Sequence, residues 1–245
     1  MLNNISIILI NITHPGNIGA AARAMKTMGI KHLALVQPKT FPSADATARA
    51  AGADDILANA QVFDSFEESL QDCHLILGTS ARQRSLGWPT LTPKACAEKV
   101  STSPGKVAVV FGRESIGLTN KELDLCHYLV QIPTHPTFSS LNVASAVQIL
   151  AYELRNAYIA SAPQTPLSER GEIAASIPAR AEDVAQFYQH LEQTLIEMEF
   201  LDPKKPKRLM RRLHRLFNRI QLIDSEVRIL RGILTAVQKK KIVNY

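Results

Sequence analysis

Cysteine is scarce in this sequence, and the few cysteines present are widely spaced. Cys73, Cys96 and Cys126 lie 23 and 30 residues apart, and no CxxC pair occurs among the 245 residues. An odd number of isolated cysteines argues against a disulfide framework, and the absence of paired ligands argues against a zinc site. We therefore expect three reduced thiols and no bound metal.

Long hydrophobic runs are also missing. The longest apolar stretches, residues 5–12 and 107–111, have the length of a strand, whereas a membrane-spanning helix needs roughly 18 residues. Residues 1–4 contain no basic group of the kind that opens a secretory signal. With 46% hydrophobic residues, the chain is too apolar for a disordered protein. The expectation is a soluble cytoplasmic protein of one or two domains.

Several common catalytic signatures are absent as well. The sequence has no HExxH, GxSxG or DxDxDG motif, so metalloprotease, hydrolase and calcium-loop hypotheses have no support. Residues 112–117 have the spacing of a phosphate loop, but Leu118 stands where such a loop carries its lysine. A nucleoside triphosphatase is therefore disfavoured. The stretch from Asn17 to Gly19 does not form a dinucleotide-binding fingerprint either.

Positive charge is concentrated in the last third of the chain. Residues 1–163 carry 13 Lys/Arg against 12 Asp/Glu, whereas residues 164–245 carry 15 against 10. A solvated helix face is one explanation, but the near-neutral charge of the remainder favours contact with a polyanion such as RNA. The strongest concentration, without any acid, is Lys204, Lys205, Lys207, Arg208, Arg211, Arg212, Arg215 and Arg219.

The first 160 residues alternate short apolar runs with helical patterns. Consecutive Val, Ile and Leu residues are typical of parallel strands that are buried on both faces. Ser65 and Thr119 are suited to capping two of the helices. We predict an α/β fold, a parallel sheet with helices on both faces. Its predicted strands are 6–11, 32–36, 61–63, 74–78, 106–111 and 128–133, and its predicted helices are 18–28, 43–51, 66–72, 93–99, 120–126 and 141–161.

The end of the chain has a different pattern. Residues 162–178 contain three prolines and few large apolar residues, which indicates a linker. No strand pattern follows, and helices are predicted over 182–200, 209–219 and 225–240. The predicted organisation is a domain over residues 1–162, a linker over 163–180, and a small basic helical module over 181–245.

Three segments that follow predicted strands carry small and polar residues. They read Asn17-x-Gly19-x3-Arg23-Ala24-Met25, Phe111-Gly112-Arg113-Glu114-x2-Gly117-Leu118 and Ser139-Ser140-Leu141-Asn142-Val143-Ala144. In this order, at strand-to-helix junctions, they resemble the three signature motifs of SPOUT-superfamily RNA methyltransferases, over about residues 5–160. The stretch from Gly78 to Arg82, the pair Trp88-Pro89 and the basic tail are most similar to bacterial TrmJ-type enzymes. These enzymes methylate the ribose 2′-oxygen of cytidine or uridine at tRNA position 32.

The resemblance implies a fold, a cofactor and an assembly. The fold would contain a trefoil knot near residues 75–160, with S-adenosylmethionine bound in it. The enzyme would be a homodimer in which the partner chain completes each active site, and tRNA would be the substrate. Methyl transfer requires alignment of the reacting atoms and no metal. The residues that would bind the cofactor are Thr79, Ser80, Ala81, Gly112, Ile132, Ser139, Ser140 and Leu141.

The resemblance also assigns catalytic and RNA-binding residues. Arg23 would act at the 2′-hydroxyl, with Ser140 and Asn142 assisting. An arginine side chain stays protonated at neutral pH and is a poor base, so we prefer that Arg23 holds the target phosphate and polarises the hydroxyl. The residues assigned to RNA are Asn17, Arg23, Arg82, Arg208, Arg211, Arg212 and Arg215.

Alternatives stay open for single residues and for the function. Asn17 is suited to capping the helix that it begins, and Glu114 to pairing with Arg113 or Arg82. Ser139 or Ser140 fits an ordinary helix start. The alternative functions are methylation of another tRNA or rRNA site, and RNA binding by the same fold without catalysis. Methyl transfer to unmodified tRNA separates catalysis from binding alone.

Overall fold

A computed structural model of the chain describes residues 2–81, 88–161, 178–204 and 208–242. Its strands are β1 (Ile5–Ile10), β2 (His32–Val36), β3 (Gln61–Phe63), β4 (Cys73–Thr79), β5 (Thr90–Leu91), β6 (Lys106–Phe111) and β7 (Tyr128–Val130). Its helices are α1 (Pro15–Met28), α2 (Ala44–Ala50), α3 (Asp54–Ala58), α4 (Phe66–Leu70), α5 (Pro93–Thr102), α6 (Asn120–Asp124), α7 (Val143–Ser161), α8 (Ala181–Glu197), α9 (Leu209–Ile220) and α10 (Asp224–Ile242).

The strands of the described ranges form one parallel sheet. Their order is β3-β2-β1-β6-β4-β7-β5, and every neighbouring pair runs in the same direction. The predicted parallel sheet is therefore confirmed. The order places the carboxyl ends of β1, β6, β4 and β7 side by side. Because ligands of open α/β sheets bind at these ends, the strand order decides which loops can share a site.

Both faces of the sheet are buried, which explains the consecutive apolar residues. Ile7 and Leu9 of β1 pack in a cluster with α1, α5 and α7, whereas Ile8 and Ile10 pack on the other face with α4 and α6. Each of these four side chains is at most 1% exposed. Since successive residues of a strand point to opposite faces, a strand between two helical layers needs apolar residues at every position.

Two short elements escaped the sequence prediction. Strand β5 has two residues and helix α3 has five, so neither is long enough to show a hydrophobic period. The strand predicted over 128–133 ends at Val130, where the chain leaves the sheet, and the helix predicted from 141 begins at Val143. The predicted N-caps are confirmed, because the hydroxyl groups of Ser65 and Thr119 accept backbone hydrogen bonds at the starts of α4 and α6.

Gly19 allows helices α1 and α2 to approach closely. A Cβ atom at this position would lie 1.9 Å from the carbonyl oxygen of Ala46 in α2. No side chain fits there unless the helices separate. The glycine of the first motif therefore has a packing role between α1 and α2.

The last three helices have their own hydrophobic cluster. Phe187 and Tyr188 of α8 pack with Leu222 and Val227, and the rings of Phe187 and Phe217 meet edge to face at 5.0 Å. The helical pattern predicted for this region agrees with α8, α9 and α10. Most of the predicted linker, residues 162–177, lies outside the described residues. Within the described ranges, no helix combines the length and apolarity needed to span a membrane.

A buried histidine gives the fold a pH dependence. Nδ1 of His127 accepts a hydrogen bond from the Ile76 backbone N–H at 3.0 Å, and burial lowers the pKa of His127 from 6.5 to about 4. The folded protein holds this ring neutral, whereas the unfolded chain protonates it near pH 6.5. Its contribution to stability is complete above that pH and is lost as the pH falls towards 4, a change of about 3 kcal/mol.

We therefore expect the free energy of unfolding to fall more steeply below pH 6.5 in the wild type than in His127→Gln. Urea unfolding at several pH values between 4 and 8 measures this difference. For each protein, the free energy of unfolding is compared with its own value at pH 8. The loss of stability caused by the substitution itself therefore cancels. Parallel pH curves for the two proteins would contradict the assignment.

Candidate active site at the carboxyl edge of the sheet

A cleft opens at the carboxyl ends of β4, β6 and β7. The loops that follow these three strands form its walls. Because the strands are adjacent in the order β6-β4-β7, loops that are distant in the sequence meet here. All the residues predicted to bind the cofactor line this cleft: Thr79, Ser80, Ala81, Gly112, Ile132, Ser139, Ser140 and Leu141.

The cleft wall combines apolar side chains with hydroxyl groups and carries few charges. Ile132, Leu141 and Val143 supply apolar surface, and the hydroxyl of Thr79 donates to the Val110 carbonyl oxygen at 2.9 Å. The charged residues on the wall, Arg113 and Glu114, have partners in neighbouring loops. Such a wall suits a ligand that is held by shape and by backbone groups.

The loop after β6 requires its two glycines for different reasons. A Cβ atom at position 112 would lie 2.2 Å from the carbonyl carbon of Gly117 and 2.4 Å from the amide nitrogen of Leu118. Gly117 has a φ of +69°, in the left-handed region. A glycine at 112 also lets a ligand approach the backbone closely. The structure adds a reason within the protein: the loop folds back on itself against residue 112.

Arg113 anchors this loop on two sides. Its guanidinium donates to the Glu122 carboxylate at 2.9 Å and to Oδ1 of Asn11 at 2.6 Å. Glu122 also accepts from the backbone N–H of Thr119 at 2.6 Å, in the capping box that begins α6. The loop is thereby attached both to the end of β1 and to the start of α6.

Glu114 binds the start of helix α1. Its carboxylate accepts hydrogen bonds from the backbone N–H groups of Thr13 at 3.1 Å and His14 at 3.2 Å, and from the Asn17 side chain at 2.9 Å. Burial opposes ionisation, but the hydrogen bonds from Asn17 and from the backbone together lower the pKa of Glu114. Pairing of Glu114 with Arg113 is therefore wrong, since Arg113 pairs with Glu122. The alternative partner Arg82 lies outside the described residues.

Asn17 joins the three motifs and does not cap α1. The cap is His14, whose Nδ1 accepts from the Gly16 N–H at 3.1 Å. The Asn17 amide donates to Glu114, and its Oδ1 accepts from the Asn142 amide at 2.9 Å. Only one orientation of the Asn17 amide satisfies both partners, because the NH2 group must face the carboxylate.

Asn142 connects this chain of hydrogen bonds to α7. Its Oδ1 accepts from the Ala144 N–H at 2.9 Å, so Asn142 stands at the start of the helix. The alternative that Ser139 or Ser140 starts the helix is therefore wrong, and both serines lie on the cleft wall instead. Sequence reasoning found Asn17 and Asn142 but missed the connecting role of Glu114. Its position in the second motif was the available signal.

Arg23 lies apart from the cleft. It is exposed on α1, six residues beyond Asn17, and it does not line the cleft wall. Six residues correspond to about 9 Å along a helix axis. Of the catalytic residues expected from the sequence, Ser140 lines the cleft, Asn142 stands beside it at the start of α7, and Arg23 is exposed on α1.

The arginines predicted to bind RNA fall into two groups at α9. Arg211 forms an ion pair with Asp124 of α6 at 2.8 Å, and the Arg215 guanidinium lies over the Trp88 ring at 5.1 Å. Arg208 and Arg212 are exposed. Arg82 belongs to residues 82–87, which the structure does not describe. In the described part of the chain, no group of three or more His, Cys, Asp or Glu side chains is arranged to hold a metal ion.

Comparison with known proteins decides the family. Residues 4–152 match the SpoU rRNA Methylase family, and residues 182–244 match the C-terminal domain of tRNA methyltransferase TrmJ. The chain belongs to the TrmJ family of SpoU methylases. It is 50% identical over 246 residues to the tRNA (cytidine/uridine/adenosine-2′-O-)-methyltransferase TrmJ of Pseudomonas aeruginosa, with 98% of this chain and 95% of the relative covered.

Solved structures agree with this membership. The crystal structure of TrmJ from Z. mobilis superposes with a TM-score of 0.83 at 32% identity, covering 95% of this chain and 98% of that chain. The SpoU methyltransferase AviRb from Streptomyces viridochromogenes, solved in complex with AdoMet, matches with a TM-score of 0.52. At 21% identity over 65% of this chain and 62% of that chain, AviRb shows a shared fold. The TrmJ family assignment makes this chain a methyltransferase.

Proposed function

We propose that this protein transfers a methyl group from S-adenosylmethionine to the ribose 2′-hydroxyl of tRNA, at cytidine or uridine 32 of the anticodon loop. The activity named for the Pseudomonas aeruginosa relative supports the reaction and the substrate class. The observation that carries the proposal is the convergence of three loops on one cleft. Its walls contain every residue expected to bind the cofactor, and the hydrogen bonds of Asn17 connect all three motifs.

The cleft fits the proposed cofactor by its chemistry. When bound, S-adenosylmethionine supplies a methyl group on a positively charged sulfur, and the transfer is an in-line displacement by the hydroxyl oxygen. Ile132 and Leu141 offer apolar surface for a flat base, and the serines at 139 and 140 offer hydroxyl groups. The Glu114 carboxylate already accepts hydrogen bonds from the backbone at the start of α1. The positively charged sulfur would therefore be held mainly by the shape of the cleft and by backbone dipoles.

The remaining polar groups suit positioning of the substrate. Ser140 lies on the wall, and Asn142 is held at the start of α7 by its two hydrogen bonds. We propose that these two side chains orient the ribose, and that Arg23 holds the adjacent phosphate and polarises the 2′-hydroxyl. A guanidinium supplies fixed positive charge and several donors, which favours this role over proton abstraction.

We further propose a homodimer in which the partner chain completes each site. Arg23 lies outside the cleft of its own chain, which supports a site shared between two chains. Helix α7 exposes Tyr152, Tyr158 and Ile159 at 52%, 44% and 58%, and a partner would cover such apolar surface. The trefoil knot near residues 75–160 and a cytoplasmic location belong to the same proposal.

Catalysis and RNA binding would lie in different parts of the chain. We propose that residues 1–162 form the methyltransferase domain, that residues 163–180 link it to the rest, and that residues 181–245 form an RNA-binding extension. The net positive charge of the extension supports contact with phosphates. Asn17 and Arg82 would contact RNA from the first unit, and Arg208, Arg212 and Arg215 from the extension.

The test is methylation of an unmodified tRNA transcript by the purified protein with S-adenosylmethionine, followed by mapping of the modified nucleotide. We expect one 2′-O-methyl group at position 32. The matched control is the same tRNA with a 2′-deoxyribose at position 32, which cannot accept the methyl group there. Methylation of the control at an equal rate would place the target elsewhere, and the absence of methylation in both would refute the activity.

A further inference from the structure

The seam between the two units is held by a carboxylate at the end of α6. The Asp124 carboxylate accepts from Nε of Arg211 at 2.8 Å and from its Nη2 at 3.3 Å. The Asp124 and Arg211 side chains are only 15% and 32% exposed. A two-point contact of this kind, partly removed from water, fixes both distance and angle between the side chains.

A second residue strengthens the same contact. The Asn218 amide, also on α9, donates to the backbone carbonyl oxygen of Asp124 at 3.0 Å. Oδ1 of Asn218 in turn accepts from the Tyr188 hydroxyl at 2.7 Å, which joins α9 to the core of the helical module. Helix α9 is therefore bound to Asp124 through two of its own side chains.

Asp124 is linked to the cleft through a very short helix. Helix α6 has five residues and ends at Asp124. Near its start, Glu122 holds Arg113, which belongs to the loop that lines the cleft. A single helical turn thus separates the loop of the cofactor cleft from the attachment point of α9. If α9 moved relative to this turn, the distance between α9 and the cleft would change.

The basic side chains of α9 differ in whether they contact the methyltransferase unit or are exposed. Arg211 is engaged with Asp124, and Arg215 lies over Trp88 of the methyltransferase unit. Arg208, Arg212 and Arg219 are exposed. Positions 212, 215 and 219 share one face of α9, and Arg208 directly precedes the helix, so the exposed arginines lie on either side of Arg215. Arg212 and Arg219 also line a small cleft against Trp88 and Pro89, at the seam.

We propose that Asp124 and Arg211 are a positioning pair, which fixes α9 so that Arg208, Arg212 and Arg219 meet RNA phosphates at a set distance from the cofactor cleft. This inference rests on the proposed function and deepens it, since it separates the arginines that hold the module from those that bind RNA. Arg211 acts through Asp124 and does not contact the RNA. This assignment replaces our sequence-based expectation for Arg211.

The test exchanges the two charges. In the full-length protein, Asp124→Arg and Arg211→Asp are made singly and together. We expect each single variant to lower the single-turnover rate at saturating tRNA at least tenfold, with cofactor affinity within twofold of the wild type. The double variant restores the opposite charges in exchanged positions, and it should recover most of the rate. A purely electrostatic contact of Arg211 with RNA predicts no recovery, and that result would overturn the proposal.

A milder substitution guards against misfolding. Asp124→Asn removes the charge and keeps the backbone carbonyl that binds Asn218. We expect faster amide hydrogen exchange in α9 of this variant, with unchanged exchange in β1 and β6 at the centre of the sheet. Unchanged exchange in α9 would overturn the pair. Hydrogen exchange needs no RNA, so it tests the Asp124–Arg211 pair even if the wild type fails to methylate tRNA. That failure would count against the proposed function alone.

The RNA-binding group is tested by salt dependence. Arg212→Ala with Arg219→Ala should flatten the log–log dependence of tRNA binding on salt, by about one unit for each phosphate that the variant no longer neutralises. Asp124→Asn leaves these arginines available and should keep the slope of the wild type. A wild-type slope in the arginine double variant would show that this face of α9 is only solvated, and would overturn its part in the proposal.

Discussion

Replacing Arg23 by alanine is expected to slow methyl transfer at least tenfold, equivalent to about 1.4 kcal/mol of transition-state stabilisation, while cofactor affinity stays near that of the wild type. The reason lies in its placement. Arg23 is exposed on α1 and contributes nothing to the cleft wall. The hydrogen bonds that join Glu114, Asn17 and Asn142 do not involve it, so the cofactor loops remain intact in the variant.

Single-turnover methylation of tRNA and calorimetry with S-adenosylmethionine together measure these two expectations. Lys31→Ala is the matched control, because it removes an equal charge from an exposed position shortly after the same helix. Normal turnover in Arg23→Ala would exclude a catalytic role for Arg23. A loss of cofactor affinity equal to the loss in rate would place its effect in the cleft instead.

Gly112→Val is expected to weaken cofactor binding by roughly a hundredfold, which corresponds to about 2.8 kcal/mol. The first atom of any side chain at 112 would lie 2.2 Å from the backbone of Gly117, so the loop from 113 to 118 must move. This loop forms one wall of the cleft. The strands beneath it are buried on both faces and should keep their structure, which circular dichroism can confirm.

Substitutions at two further glycines distinguish a steric clash from backbone strain as the cause of weaker binding. Gly117→Ala meets no atom within 4 Å but places a side chain at a φ of +69°, so it tests backbone strain alone. Gly232→Ala, on an exposed part of α10 with open space around it, tests neither and should bind cofactor normally. Calorimetry that shows unchanged affinity for Gly112→Val would place the cofactor site away from this loop.

The short-range features of this protein follow from its sequence. Runs of Val, Ile and Leu predicted β2 and β6 at their observed bounds, because a strand covered on both faces needs apolar residues throughout. Ser65 and Thr119 were found as caps since a hydroxyl before a helix has one dominant use. Through the resemblance to a known family, the sequence also named eight residues that the fold brings to one cleft.

Tertiary structure decided the partners of the polar side chains. Arg113 and Glu114 are neighbours in sequence, yet one binds Glu122 and Asn11 while the other binds α1. Nothing local distinguishes them, because their partners depend on the order in which β1 and β6 pair. In the same way, Arg211 belongs to a basic run that reads as an RNA contact. Only the fold shows that Asp124, 87 residues earlier, takes up its charge.

The sequence by itself therefore determined the longer helices and strands, the family resemblance and eight residues of the cleft, because helical and strand periods and cap positions are local properties of the chain. The strand order, the hydrogen bonds that connect the three motifs, and the division of the α9 arginines were decided by the tertiary structure. These features depend on contacts between residues far apart in the chain, where a carboxylate can choose among many donors and packing alone brings one of them within hydrogen-bonding distance.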